Sequence, residues 1–252
     1  MKKKKIALIV QARMGATRLS GKTLMDLEGK PLIAHLIDRA KLSKLAPLVI
    51  LAIPERKSDD PLEEFAKTYK VPFFRGSELD VLKRYINTAE NFGVDTIVRL
   101  TGDNPLVEPA YIDEAIKLHL KENADLTVGK NEEEIPLGFG CEVVSINALK
   151  IADKEDYEKE DREHVTWYIL RPENRKKFKI VFLEGKKKLK NNKIRLTVDT
   201  PEDFKLMEEL FKRLYPKNKL FGLKEVLEVY KKEPQLFDIN LQIEHSKDLY
   251  HK

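Results

Sequence analysis

A single cysteine, Cys141, in 252 residues excludes an internal disulfide framework and any site built from several thiolates. The ordinary reading of that thiol is a small buried side chain. Long apolar runs are missing too: no segment approaches the ~18 uninterrupted apolar residues of a membrane-spanning helix. Met1 to Lys5 followed by Ile6-Ala7-Leu8-Ile9-Val10 imitates a secretory signal, but the run breaks at Gln11, short of the ~7 to 15 residues such a signal needs. It reads as a first strand, and a soluble cytoplasmic protein with no membrane partner is expected. Charge of one sign is scarcely in excess, with 47 Lys+Arg against 42 Asp+Glu and a net charge of +5. Charged residues make up 35% of the chain, against ~25% in an average soluble domain. So many charges of both signs read as a heat-adapted surface rather than a nucleic-acid footprint, and no nucleic-acid partner is expected.

What is present is an alternation of short β-branched runs with longer segments of helical period. This pattern predicts an α/β fold with a mostly parallel mixed sheet between helices. Strands are expected near 6–10, 48–53, 94–100, 125–128, 142–146, 178–183 and 194–198. Helices are expected near 31–43, 60–70, 78–92, 109–122, 160–170, 201–214 and 222–232. Pro31 and Pro61 stand where a first helical turn tolerates a missing N–H. One domain over 1–234 and a polar tail over 235–252 follow from where the pattern weakens. The aperiodic stretch 129–141 predicts a loop on the working face, and Lys186 to Asn192 a solvated hairpin tip.

The first strand runs into Gln11-Ala12-Arg13-Met14-Gly15-Ala16-Thr17-Arg18-Leu19-Ser20-Gly21-Lys22-Thr23. Glycines that let backbone N–H groups approach oxygens, combined with two Arg and one Lys, suit a triphosphate. Ala16 to Thr23 also matches a relaxed Walker A loop, which would make a P-loop kinase or NTPase. Two features oppose that reading. A Walker Lys-Thr opens a helix, whereas Asp26-Leu27-Glu28-Gly29-Lys30-Pro31 reads as a turn, and the strand ends some five residues too early.

Two further strand-like runs end in acids, at Thr101-Gly102-Asp103-Asn104-Pro105 and at Asp199-Thr200-Pro201-Glu202-Asp203. Thr200 and Asp203 form a capping arrangement for a helix starting at Pro201, which leaves Asp199 just outside it. Ligands of open α/β sheets bind beyond the carboxyl ends of the strands, so Asp103 and Asp199 belong with the first loop. Carboxylates facing a triphosphate require a hard cation between them, hence Mg²⁺.

Gln11-Ala12-Arg13 through Arg18-Leu19-Ser20-Gly21-Lys22, with Gly29-Lys30-Pro31-Leu32, resembles the opening signature of cytidylyltransferases of the CMP-3-deoxy-manno-octulosonate and acylneuraminate synthetase type. Gly102-Asp103-Asn104-Pro105-Leu106 and Val198-Asp199-Thr200-Pro201-Glu202-Asp203 are similar to two later signatures of that family. Within it, Gly76 to Tyr85 and Arg162-Glu163-His164-Val165-Thr166 resemble the spore-coat polysaccharide branch. The resemblance implies a nucleotidyltransferase-type three-layer α/β/α fold, usually homodimeric, that joins CTP to an acidic sugar for polysaccharide biosynthesis. It implies catalytic roles for Arg13, Lys22 and Asp103, and metal ligation by Asp103 and Asp199. Gln11, Ala12, Arg13, Gly15, Arg18, Lys22, Asp80 and Arg84 would bind the nucleotide, and Glu142 would face the acceptor or a second metal; among the histidines, His164 alone reads as an acid/base or acceptor-binding candidate. Ser20 stands where the family commonly has Pro, and Ala16 where it often has Ser, with Thr17 a substitute hydroxyl. A His-Gln-Ser-Gly-like run typical of the octulosonate enzymes is absent, which leaves the acceptor open between an acidic sugar and a sugar or polyol phosphate.

Such chemistry needs positioning and charge neutralisation rather than a covalent nucleophile, in keeping with the lack of a Ser-His-Asp or Cys-His arrangement. His35 and His119, beside apolar helix faces, read as structural. A nucleotide-sugar-dependent glycosyltransferase is the alternative; it would not need Arg13, Arg18 and Lys22 to hold a leaving pyrophosphate.

Overall fold

The computed structural model describes residues 4–129, 136–184 and 194–243. The expected hairpin tip at 186–192, the middle of the expected loop at 130–135 and the tail from 244 lie outside the described residues.

The apolar run at the start forms β1 (Ile6–Gln11). Its Ala7 and Ile9 pack into one apolar cluster and its Leu8 and Val10 into another, so the strand is buried on both faces. That is the environment of a central strand in a parallel sheet. A two-stranded hairpin follows, β2 (Asp26–Leu27) with β3 (Lys30–Pro31), leading into α1 (Leu32–Ala40). The next elements are β4 (Leu48–Pro54), α2 (Asp60–Thr68), β5 (Phe73–Gly76), α3 (Val81–Asn91) and β6 (Thr96–Thr101). Then come α4 (Pro109–Glu122), β7 (Leu126–Gly129), β8 (Glu142–Ser145) and α5 (Ile146–Glu155). Two short helices, α6 (Lys159–His164) and α7 (Trp167–Leu170), precede β9 (Ile180–Leu183), α8 (Pro201–Leu214) and α9 (Leu223–Lys232).

Seven strands form one sheet in the order β5-β4-β1-β6-β8-β7-β9. β1 pairs in parallel with β4 and β6, while β8 runs antiparallel to β6 and β7. Helices cover both faces, giving the expected three-layer, mostly parallel mixed architecture. A third apolar cluster joins the small hairpin to α8 and α9.

Two expectations fail for identifiable reasons. Residues 194–198 are not a sheet strand; one parallel bridge links Arg195 to Leu137. Their period of two is real, but it buries Ile194, Leu196 and Val198 in the third cluster against α8 and α9. The single helix expected over 160–170 is broken at Val165, whose φ is +67°. The expected sequence of elements also lacked β5 and α5. Past residue 234, where sequence period weakens, a 3₁₀ helix spans Pro234–Asn240 and buries Phe237 and Asn240.

Candidate active site

The loop after β1 is fixed at Met14. Its N–H donates to Asp59 Oδ1 at 2.7 Å, and its carbonyl accepts from Gly21 at 2.9 Å and Ala16 at 3.0 Å. Asp59 lies just before α2 and is buried, so a residue far along the chain sets the conformation of the basic loop. Gly21 adopts φ +71°, a left-handed conformation that side chains rarely take, and turns the chain into a 3₁₀ helix at Lys22–Leu24. The hairpin β2–β3 comes next rather than a long helix. A Walker-type loop is therefore ruled out by local geometry.

Lys22 points inward, and its ammonium meets three acceptors: Val198 carbonyl at 2.6 Å, Asp199 Oδ1 at 2.8 Å and Asp103 Oδ2 at 3.2 Å. An ammonium has three N–H donors, so all of them are used on protein oxygens. Asp103 follows β6, and Gly102 allows the close approach: a Cβ there would meet Gln11 O at 3.0 Å and Ala12 Cβ at 3.1 Å. Val198 N–H donates to Asp103 O at 2.9 Å, which ties the two acid-bearing segments together. Burial alone would push the Asp199 carboxyl up, but the charges of Lys22, Arg195 and Arg18 outweigh it and hold the carboxyl below its usual range. Arg18 Nη2 stands 3.5 Å from Asp199 Oδ2.

These groups line a cavity of about 190 Å³ together with Gln11, Ala12, Arg13 and Arg84. That is below the roughly 300–1,000 Å³ of small-molecule sites. Arg13 reaches Glu163 of α6 at 3.4 Å, and this exposed pair narrows the space. Four cations (Arg13, Arg18, Lys22, Arg84) face three carboxylates (Asp103, Asp199, Glu163), so the lining is nearly neutral. A triphosphate would bring far more negative charge than that surplus cancels.

Arg84 is buried, and its Nε has no hydrogen-bond partner among the described residues. Its Nη1 donates to Ser77 carbonyl at 2.5 Å, and burial lowers its pKa. It forms no ion pair among the described residues. Gln11 Oε1 is likewise buried without a partner there. A buried donor and a buried acceptor left open beside one cleft can be satisfied there by a polar ligand or by water.

Not every expected residue joins this cleft. Asp80 caps α3, accepting Lys83 N–H at 2.9 Å, and its other oxygen takes Arg162 Nη2 at 2.6 Å. Both oxygens bind protein donors, and Asp80 does not line the cavity. Gly15 lies within the loop, and a methyl added there would touch nothing within 4 Å. Glu142 is buried, and its Oε2 accepts from Arg99 Nη1 at 3.0 Å and from Thr166 Oγ1 at 3.0 Å. His164 stacks on Trp167, 3.7 Å between ring centres and 13° between planes, and burial lowers its pKa. Between them Val165 makes a tight turn closed by Thr166 N–H on His164 O at 2.7 Å, a strained conformation for a β-branched residue. Neither Glu142 nor His164 lines the cavity described above. Sequence reasoning missed Asp59, Glu163 and Arg195, whose partners lie 45, 150 and as few as 4 residues away. Only the last of these spacings is local enough to have been a signal.

Residues 7–236 match the family model described as cytidylyltransferase. An uncharacterized protein of Methanocaldococcus jannaschii is 40% identical over 239 residues, covering 95% of this chain and 96% of its own. The spore coat polysaccharide biosynthesis protein SpsF of Bacillus subtilis is 36% identical over 213 residues, 82% of this chain and 87% of its own. Among solved structures, a cytidylyltransferase from Leptospira borgpetersenii superposes with a TM-score of 0.86 at 30% identity, covering 98% of this chain and all of that one.

Proposed function

The chain belongs to the cytidylyltransferase family, and from that premise we propose that it transfers CMP from CTP to a hydroxyl of an acidic sugar, or of a sugar or polyol phosphate, with release of pyrophosphate. The observation that carries this reading is the meeting of three segments distant in sequence, around Arg13 to Lys22, Asp103 and Asp199, on one cleft. The name of the Bacillus relative supports a product used in polysaccharide biosynthesis.

The acceptor oxygen attacks the α-phosphorus in line; the new O–P bond forms as the bond to the β-phosphate oxygen breaks, and the hydroxyl proton leaves to solvent. Arg13 and Arg18, exposed at the cleft rim, take the triphosphate oxygens, Arg13 exchanging Glu163 for phosphate. Arg84 and Gln11 offer their open donor and acceptor to the nucleotide. Glu142 and His164, which do not line this cavity, would meet only a part of the acceptor that extends beyond it.

Asp103 and Asp199 fit a divalent cation. Asp103 Oδ1 is buried and accepts no hydrogen bond among the described residues, an anionic oxygen that calls for a positive partner. Carboxylates suit a hard cation such as Mg²⁺, which keeps waters and takes its remaining oxygens from phosphates. Asp103 and Asp199 would be the protein's ligands to such an ion, and the remaining ligands would have to come from water and the nucleotide. Bound there, Mg²⁺ supplies charge neutralisation on the phosphates. Lys22 gives up a carboxylate and turns a donor toward the leaving pyrophosphate.

The test is a pyrophosphate assay with Mg²⁺, the four nucleoside triphosphates and a panel of 2-keto sugar acids and sugar or polyol phosphates. CTP with one acceptor is expected to release pyrophosphate, and Asp103→Ala to abolish it. A strong preference for ATP, or phosphate release without acceptor, would overturn the assignment.

A further inference from the structure

Asp199 stands in an irregular segment, outside every strand, so something other than a ladder of backbone hydrogen bonds must orient its carboxylate. The structure supplies a chain of buried polar contacts. Arg195 Nη2 donates to Asp199 Oδ2 at 2.5 Å, which leaves Oδ1 facing Lys22. The same guanidinium is held from behind by Asp203 Oδ1, which accepts Arg195 Nε at 3.0 Å. Asp203 Oδ2 accepts the backbone N–H of Asp199 and of Thr200, both at 3.0 Å. The fourth donor to Asp203 comes from the C-terminal 3₁₀ helix: Asn240 Nδ2 at 2.8 Å on Oδ1. That amide also reaches the Arg195 carbonyl at 3.1 Å, so it grips both the backbone of Arg195 and the partner of its side chain.

Asp203 and Asn240 are almost fully buried. Burying a carboxylate, a guanidinium and an amide to join a 3₁₀ helix to α8 is a poor way to gain stability, because apolar residues of similar volume commonly do as well or better. Phe237, buried in the third cluster, already supplies that apolar attachment. The polar network does what an apolar contact cannot: it fixes the rotation of the Asp199 carboxylate, with Oδ2 on Arg195 and Oδ1 on Lys22.

We propose that Asn240, acting through Asp203 and Arg195, is a positioning residue for Asp199, and that the C-terminal 3₁₀ helix is thereby part of the metal–nucleotide site. This rests on Asp199 being a metal ligand, as proposed above. A group in direct contact with a metal ligand orients it, and its loss commonly costs about 10- to 100-fold in metal affinity; Arg195 is that group here, and Asn240 stands behind it.

The experiment uses the full chain and Mn²⁺ as probe, with binding read by electron paramagnetic resonance in the presence of CTP and no acceptor. Asn240→Ala is expected to weaken Mn²⁺ binding by up to about 10-fold, the low end of the range for a direct partner, to raise the metal concentration for half-maximal rate by the same factor, and to regain most of its kcat at high metal. Arg195→Lys, which keeps the charge but loses the fork, is expected to shift binding in the same direction. Phe237→Leu loosens the same helix without touching the network; it lowers Tm and leaves Mn²⁺ affinity where it was. If Asn240→Ala and Phe237→Leu lower Tm alike and neither moves Mn²⁺ affinity, while Asp199→Asn removes binding, the positioning role is wrong and the metal assignment stands. If Asp199→Asn leaves binding intact, both fall.

Discussion

Replacing Lys22 by methionine removes the one ammonium that sits between Asp103 and Asp199. Its three contacts, at 2.6, 2.8 and 3.2 Å, vanish together, and the two carboxylates and the Val198 carbonyl lose their donor. Breaking a fully buried pair by removing one partner costs about 3–5 kcal/mol. Here the Lys22 side chain is 11% exposed but the carboxylates are 23% and 24% exposed, so water screens part of the loss. Arg195 and Arg18 also remain beside Asp199. A cost of about 2–3 kcal/mol follows, which in a chain of this size lowers Tm by roughly 4–12 °C. Thermal unfolding at pH 8 in a chelating agent reads it. Added Mg²⁺ should recover much of the loss in Lys22→Met, because the divalent ion takes the vacated place between the carboxylates and binds only the folded state. In the wild type Mg²⁺ alone should shift Tm little, since it must first displace Lys22. A variant that unfolds with wild-type Tm in chelator, or equal Mg²⁺ shifts in both proteins, would refute the reasoning.

Gly102→Ala forces the ends of β1 and β6 apart by a few tenths of an ångström at Gln11 O and Ala12 Cβ; kcat/KM for CTP should fall at least ~10-fold with only a small change in Tm, since small displacements at a reacting centre are costly. Arg84→Met removes a buried cation with no ion-pair partner among the described residues; Tm should hold or rise, while calorimetric affinity for CTP falls about 10- to 100-fold. His119 gives a pH test. Burial lowers its pKa from 6.5 to about 4, so between those values the unfolded chain takes up a proton that the folded chain refuses, and stability falls as pH falls through that window. The loss reaches at most about 3 kcal/mol, and His119→Leu should flatten that part of the denaturation-against-pH curve relative to wild type.

The parts of the fold legible in the sequence were those with local causes. β1 declares itself because a strand buried on both faces reads as a continuous apolar run, and α8 because Thr200, Pro201 and Asp203 build its capping box in adjacent positions. The run 194–198 misleads because burial of alternate residues against helices imposes the same period as a strand. The break at Val165 has no local signal, as a valine is among the least suited residues to a positive φ; only the surrounding packing holds it there. The candidate site was legible as a set of motifs: Gln11, Ala12, Arg13, Arg18, Lys22, Arg84, Asp103 and Asp199 do share one cleft. What could not be read was how they are held. Asp59 pins the basic loop from 45 residues away, and Lys22 spends its donors on oxygens up to 177 residues distant. The nearly balanced charge of the whole chain extends into the cleft itself, where a surplus of one cation appears only when the lining is counted.

The central claim is that a CMP group leaves CTP for an acceptor hydroxyl in this cleft. Mass spectrometry of a reaction containing the protein, Mg²⁺, CTP and the acceptor panel tests it most directly. The account predicts one new ion at the mass of an acceptor joined to CMP, formed with an equal amount of pyrophosphate and absent with Asp103→Ala. CTP left intact with every acceptor, while another nucleoside triphosphate yields the conjugate, would contradict it.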